Sequence, residues 1–145
     1  MKLTAKVHFD EKPLLDNLNN RFGLGSKAQK EWGMTVFDGS LPYTPEDTGD
    51  FIQRSRAATE KTAAQGGIVY AGPQAKYLWH GEVMESPTTG SAWAKKGETK
   101  VIRKPVQEIV FKNPQAGAKW VLRAAADNLP VWVQEFQDKI NNGEV

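Results

Sequence analysis

Apolar and polar residues alternate strictly over residues 2–10, with Leu3, Ala5, Val7 and Phe9 on one side and Lys2, Thr4, Lys6, His8 and Asp10 on the other. A period of two predicts a half-buried antiparallel strand. Asp10 followed by Pro13 then marks a helix start, since Asp caps and Pro fits the first turn. Leu14, Leu15, Leu18 and Phe22 keep helical spacing. Gly23-Leu24-Gly25 interrupts it, and Ser26 can cap a second helix whose apolar side is Ala28, Trp32, Met34 or Thr35, and Val36. Gly39 is the expected end of that helix.

Two Pro and two Gly between residues 39 and 50 predict an irregular loop. Residues 51–59 suit a short helix or the approach to a strand. Ala63-Ala64-Gln65-Gly66-Gly67 predicts a turn and Ile68-Val69-Tyr70 a strand leaving it, hence a hairpin that Gly72-Pro73 breaks. Ser86 to Glu98, rich in Ser, Thr, Gly, Pro and Lys, predicts an exposed, mobile loop. Thr99 to Phe111 is β-rich, with Pro105 at a bulge or edge. Asn113-Pro114 is the expected start of a helix carrying Ala116, Trp120, Val121 and Ala124. A separate last helix follows Leu129-Pro130 and runs to about Ile140, with Trp132 or Val133, Phe136 and Ile140 inward. The pattern predicts one α+β domain over 1–145, an antiparallel sheet packed by several short helices with one long exposed loop.

The 145 residues suffice for one domain with a hydrophobic core and too few for two comfortable ones. A net charge of +2 argues against a dominant affinity for polyanions, although a local basic patch remains open. The absence of Cys excludes disulfides, thiolate zinc sites, iron–sulfur clusters and cysteine nucleophiles, and suits a reducing cytosol. No apolar run approaches a membrane span, and Met1–Lys6 lacks a signal peptide's apolar core, so neither membrane insertion nor secretion is expected.

Candidate chemistry is sparse. His80 and Glu82 form an H-x-E pair that would share one face of a strand, with no third ligand nearby in sequence. A histidine at the end of a sheet is the preferred account, and a hydrolase acting through His80 and Glu82 is the weakest alternative. His8 falls on the solvent side of the first strand. Gly23-Leu24-Gly25-Ser26-Lys27 lacks the spacing of a phosphate loop and reads as a helix break with a cap. Glu46, Asp47 and Asp50 lack the regular ligand pattern of a calcium loop, so capping by Asp47 or Thr48 is preferred. Lys95, Lys96, Lys100, Arg103 and Lys104 sit beside Trp93, a combination compatible with base stacking and phosphate contacts. Trp79 and Trp93 flank the long loop, where interface anchoring suits them. No enzyme, metal or cofactor is expected.

Three segments in order carry a resemblance. Leu41-Pro42-Tyr43-Thr44-Pro45-Glu46-Asp47-Thr48-Gly49-Asp50 resembles the YxPxDTG signature of small head–tail connector and tail-completion proteins of long-tailed phages. Gly67 to Val83, with Tyr70, Tyr77 and Gly81, resembles that group's YxxPYAxYxxxG segment. Asn113 to Trp120, with Pro114, Ala116 and Trp120, resembles its P-x-A-x-x-x-W helix start. Gln74 stands where Tyr is common, and Phe51 where Leu is usual. The likeness spans about residues 10–140 and is nearest to the minor capsid protein family of phages and prophages of Gram-positive bacteria.

The resemblance implies a structural virion protein of the neck, made in the bacterial cytoplasm. Such proteins form rings or dock on rings, with portal-adaptor, neck and tail proteins as partners and only incidental DNA contact. Asp47-Thr48-Gly49 would then be an organised corner, with Gly49 at positive φ. Residues 86–98 would be an assembly element ordered by a neighbouring subunit, Lys95 and Lys96 meeting Glu46, Asp47 and Asp50 of the next copy. The alternative is a small DNA-associated module using the Lys95–Lys104 loop.

Overall fold

The computed structural model describes residues 12–46 and 49–145. The strand expected over residues 2–10, the Asp10 cap and the capping roles of Asp47 and Thr48 lie outside the described residues. Helices dominate: α1 (Lys12–Phe22), α2 (Lys27–Ser40), α3 (Asp50–Thr62), α4 (Ala75–His80) and α5 (Trp120–Asn141). A small antiparallel pair, β1 (Met84–Glu85) and β2 (Val101–Ile102), holds Met84 opposite Ile102 and Glu85 opposite Val101. The class is mixed α+β, with far less strand among the described residues than the β-rich composition of residues 99–111 suggests.

The start of α2 follows its sequence. Ser26 has extended backbone angles and its hydroxyl accepts from the Gln29 amide at 3.0 Å, satisfying one of the helix's open N–H groups. Its end does not. Gly39 lies inside the helix, which runs to Ser40 and continues as a tight turn over Leu41–Tyr43. A Cβ at Gly39 would penetrate the Trp132 indole, so glycine is there to let α5 approach α2. In α1, by contrast, Leu14, Leu15 and Leu18 are about half exposed and none of its residues is buried.

The predicted hairpin is absent. After α3 the chain turns over Ala63–Gln65, with Gly66 left-handed, and runs back along α3 instead of pairing with a strand. Thr59 Oγ1 donates to the Val69 carbonyl at 3.1 Å and accepts from the Val69 amide at 3.0 Å, and Ser55 Oγ accepts from the Ala71 amide at 3.0 Å. Helix hydroxyls thus take the place of a neighbouring strand for backbone groups that must be paired when buried.

Asn113-Pro114 does not open a helix. Asn113 caps a turn, accepting from the Gln115 amide through Oδ1 at 3.0 Å, and α5 begins only at Trp120. The two expected C-terminal helices are one, with Pro130 inside it. Pro130 removes one N–H, but Ala126, whose carbonyl loses that partner, is exposed to water. The buried stripe Trp120, Ala124 and Trp132 continues through the proline and holds both halves on α2.

Candidate functional site

The segments of the three sequence motifs meet in one aromatic junction. Tyr43, buried, donates from its hydroxyl to Asp127 Oδ2 at 2.6 Å, tying the first segment to α5. Pro42 contributes its carbonyl to Asn113 Nδ2 at 2.9 Å, tying it to the third. Gly49 has φ 81° and stands immediately before α3, where its carbonyl accepts from the Gln53 amide at 3.0 Å. A left-handed turn followed at once by a helix places Phe51 against Trp120, ring centroids 6.2 Å apart and nearly perpendicular. Tyr70 meets Trp120 edge-on at 4.9 Å, and Trp79 does so at 5.0 Å. Pro45 and Ala116 are buried beside them, while Pro114 is exposed.

Gly81 ends α4 with φ 72°, and a Cβ there would come within 2.8 Å of the Ala118 Cβ. The close approach lets the Lys119 amide reach the Trp79 carbonyl at 3.0 Å, joining the second and third segments. Trp79, expected as an interface anchor, is half-buried and packs on this core. The Tyr70 hydroxyl and Trp120 Nε1 are buried without a hydrogen bond of good geometry. Burial raises the Tyr70 phenol above its ordinary value, an effect that Trp120, Thr44 and Ser40 partly offset.

Beside the junction lies a groove of about 380 Å³, lined by Phe51, Leu78, Phe111 and Ala116, with Glu46 and Asp50 among its polar residues. Asp50 pairs with Arg54 one helical turn on, at 2.7 Å. Across α4 is a second cleft, about 420 Å³, lined by Lys76, Tyr77, Trp93, Lys95 and Lys100. Tyr77 therefore belongs to this cleft, its ring 4.9 Å from the Lys100 ammonium.

Residues 86–98 depart from the expected mobile loop. They fold around the Glu98 carboxylate, which accepts from Thr88 Oγ1 at 2.5 Å, Ser86 Oγ at 2.7 Å and the Lys95 amide at 3.0 Å. These bonds favour the charged form, Thr88 most, and lower the Glu98 pKa to about 2. Ser86 is fully buried, and its amide donates to the Ser91 carbonyl at 2.8 Å. What this scaffold presents to solvent is Trp93, 84% exposed, with Lys95 and Lys96 also exposed. Glu98 escaped the sequence reading; its only signal is an isolated acid after a run of hydroxyl residues.

His80 is the exposed last residue of α4, not a strand residue, so the expected shared face with Glu82 does not form. Glu82 instead bridges to Glu108. Among the described residues no group of three or more His, Asp or Glu is placed to hold a metal ion, and no helix is long and apolar enough to cross a membrane. No protein-family model matches the chain, and neither a curated protein nor a solved structure does.

Proposed function

We propose that this chain is a structural subunit of the head–tail connector of a long-tailed phage, acting in head completion and tail joining at the neck of the virion. The observation that carries the reading is the convergence of the three motif segments: Tyr43 and Phe51, Tyr70 and Trp79, and Trp120 belong to one junction. Gly49 has the positive φ that the resemblance implies. On this reading the motif residues act by shaping a rigid corner, without catalysis or cofactor, and the partners are portal-adaptor, neck and tail proteins.

The test is a deletion of the gene in a phage that carries it. Full heads without attached tails are expected, with joining restored by the protein supplied in trans. Normal infectious particles from the deletion overturn the proposal.

A second reading has one observation behind it. The cleft brings Lys76, Lys95 and Lys100 to Tyr77 and Trp93, and with Glu98 as its one acidic lining residue it keeps a basic balance and stacking surfaces that suit single-stranded nucleic acid. A DNA affinity that falls steeply with salt and is abolished by Trp93→Ala would favour it, because released counterions make such binding salt-dependent.

A further inference from the structure

Trp120 carries an indole N–H into a core that leaves 1% of the residue exposed. Neither that N–H nor the Tyr70 hydroxyl has a hydrogen-bond partner of good geometry among the described residues. A donor buried away from water and left unpaired is costly, and folded proteins rarely keep one. The Tyr70 oxygen faces three polar groups: Trp120 Nε1 and the hydroxyls of Thr44 and Ser40, both of them fully buried.

Counting hydrogens identifies what such a cluster can hold. Ser40 Oγ donates to the Val36 carbonyl at 2.6 Å, and Thr44 Oγ1 donates to the Ser40 carbonyl at 2.9 Å. Their protons are committed, so each oxygen has only lone pairs left to offer. Trp120 can only donate, and Tyr70, kept protonated by burial, brings a second hydrogen. Two donors therefore stand among acceptors without meeting them directly. An anion would suit the donors but face the hydroxyl lone pairs. A cation would suit the lone pairs but face the indole N–H. A water molecule suits both, because it accepts two hydrogen bonds and donates two.

The surroundings keep the four groups from closing on one another. Tyr70 stacks on Phe37 with ring centroids 5.6 Å apart and meets Phe51 at 6.1 Å. The amides of its chain neighbours Val69 and Ala71 are bonded to Thr59 and Ser55. Trp120 is fixed edge-on against Phe51 and Trp79. A shift that brought the polar atoms into direct contact would give up this packing.

We propose that one water molecule is bound inside the aromatic junction, accepting from Trp120 Nε1 and the Tyr70 hydroxyl and donating to Ser40 Oγ and Thr44 Oγ1. It joins the end of α2 and the three motif segments, through Thr44, Tyr70 and Trp120, in a single polar knot. The site stands whether or not the chain is a connector subunit.

The test combines diffraction with one conservative variant. A crystal structure of the full chain, at a resolution that orders solvent, is expected to show a water within about 3.2 Å of both Trp120 Nε1 and the Tyr70 oxygen. Tyr70→Phe keeps the ring contacts and removes one hydroxyl. It is expected to lower the denaturant midpoint, because a bonded hydroxyl is lost and the water loses a partner; removal of an unbonded hydroxyl leaves the midpoint unchanged or raises it. An unchanged or raised midpoint overturns the proposal. So does a crystal with no solvent at Trp120 Nε1, or with a peak there that scatters as chloride. A direct bond from Tyr70 to Ser40 or Thr44 would also lower the midpoint of the variant, and the diffraction result separates that case and counts against the water.

Discussion

Around Trp120, rings from Phe51, Tyr70 and Trp79 converge from distant parts of the chain, and the contacts are apolar. Around Glu98, the bonds come from Ser86, Thr88 and Lys95, all within twelve positions, and they are hydrogen bonds to one carboxylate. The first arrangement exists only when the whole chain is folded, and apolar burial there contributes to global stability. The second can form and break locally and depends on the charge of a single group. A segment without the composition to build a core can thus still be organised, but by a device that titrates.

The largest expected break on the core side is Trp120→Ala. Removing a side chain only 1% exposed should cost about 3–5 kcal/mol, read as a large fall in the thermal or denaturant midpoint. A shift no larger than that of a surface substitution would show that the junction does not hold the fold. Next is Gly39→Val, which must displace the Trp132 indole and should cost about 1–3 kcal/mol by overpacking. Gly49→Val should cost about 1–2 kcal/mol, because a side chain at left-handed φ meets the backbone. An unchanged midpoint would mean that the corner accommodates a Cβ.

The loop side is broken by pH. The folded-state pKa of Glu98 is about 2, below its ordinary value of 4.5, so the charged form stabilises the loop fully above the ordinary value and loses hold as pH falls toward 2. Amide exchange at Thr88 and Lys95 should therefore accelerate over that window relative to amides of α5. Glu98→Gln should show fast exchange at neutral pH and lose the acid-dependent step. Equal exchange in both proteins at neutral pH would remove Glu98 from its organising role.

Local rules were legible where a single residue settles the geometry. Ser26 capped α2, and Gly49 took positive φ, because capping and left-handed turns are decided within a few residues. The apolar spacing of Trp120 and Ala124 named the inner face of α5. Pro130 misled, since a proline's cost depends on whether water reaches the carbonyl it strands, which the chain order does not contain. Gly39 misled for a similar reason: its role is set by Trp132, far along the sequence. Ile68-Val69-Tyr70 has the composition of a strand, but what its backbone bonds to depends on Ser55 and Thr59. Of the candidate interface, the exposure of Trp93, Lys95 and Lys96 was legible, whereas the groove, assembled from residues 45 to 116, was not.

Those two hydroxyls carry a consequence for how the molecule comes apart. Because the amides of Val69 and Ala71 are held by side chains of α3, the segment pairs with no strand among the described residues and depends on one helix. Fraying of α3 past Thr59 releases Val69 from both of its bonds at once, and with it the anchorage of Tyr70 beside Trp120. Residues 50–71 are therefore expected to loosen in step, Val69 coming free with the last turn of α3 and Ala71 only when the helix opens past Ser55.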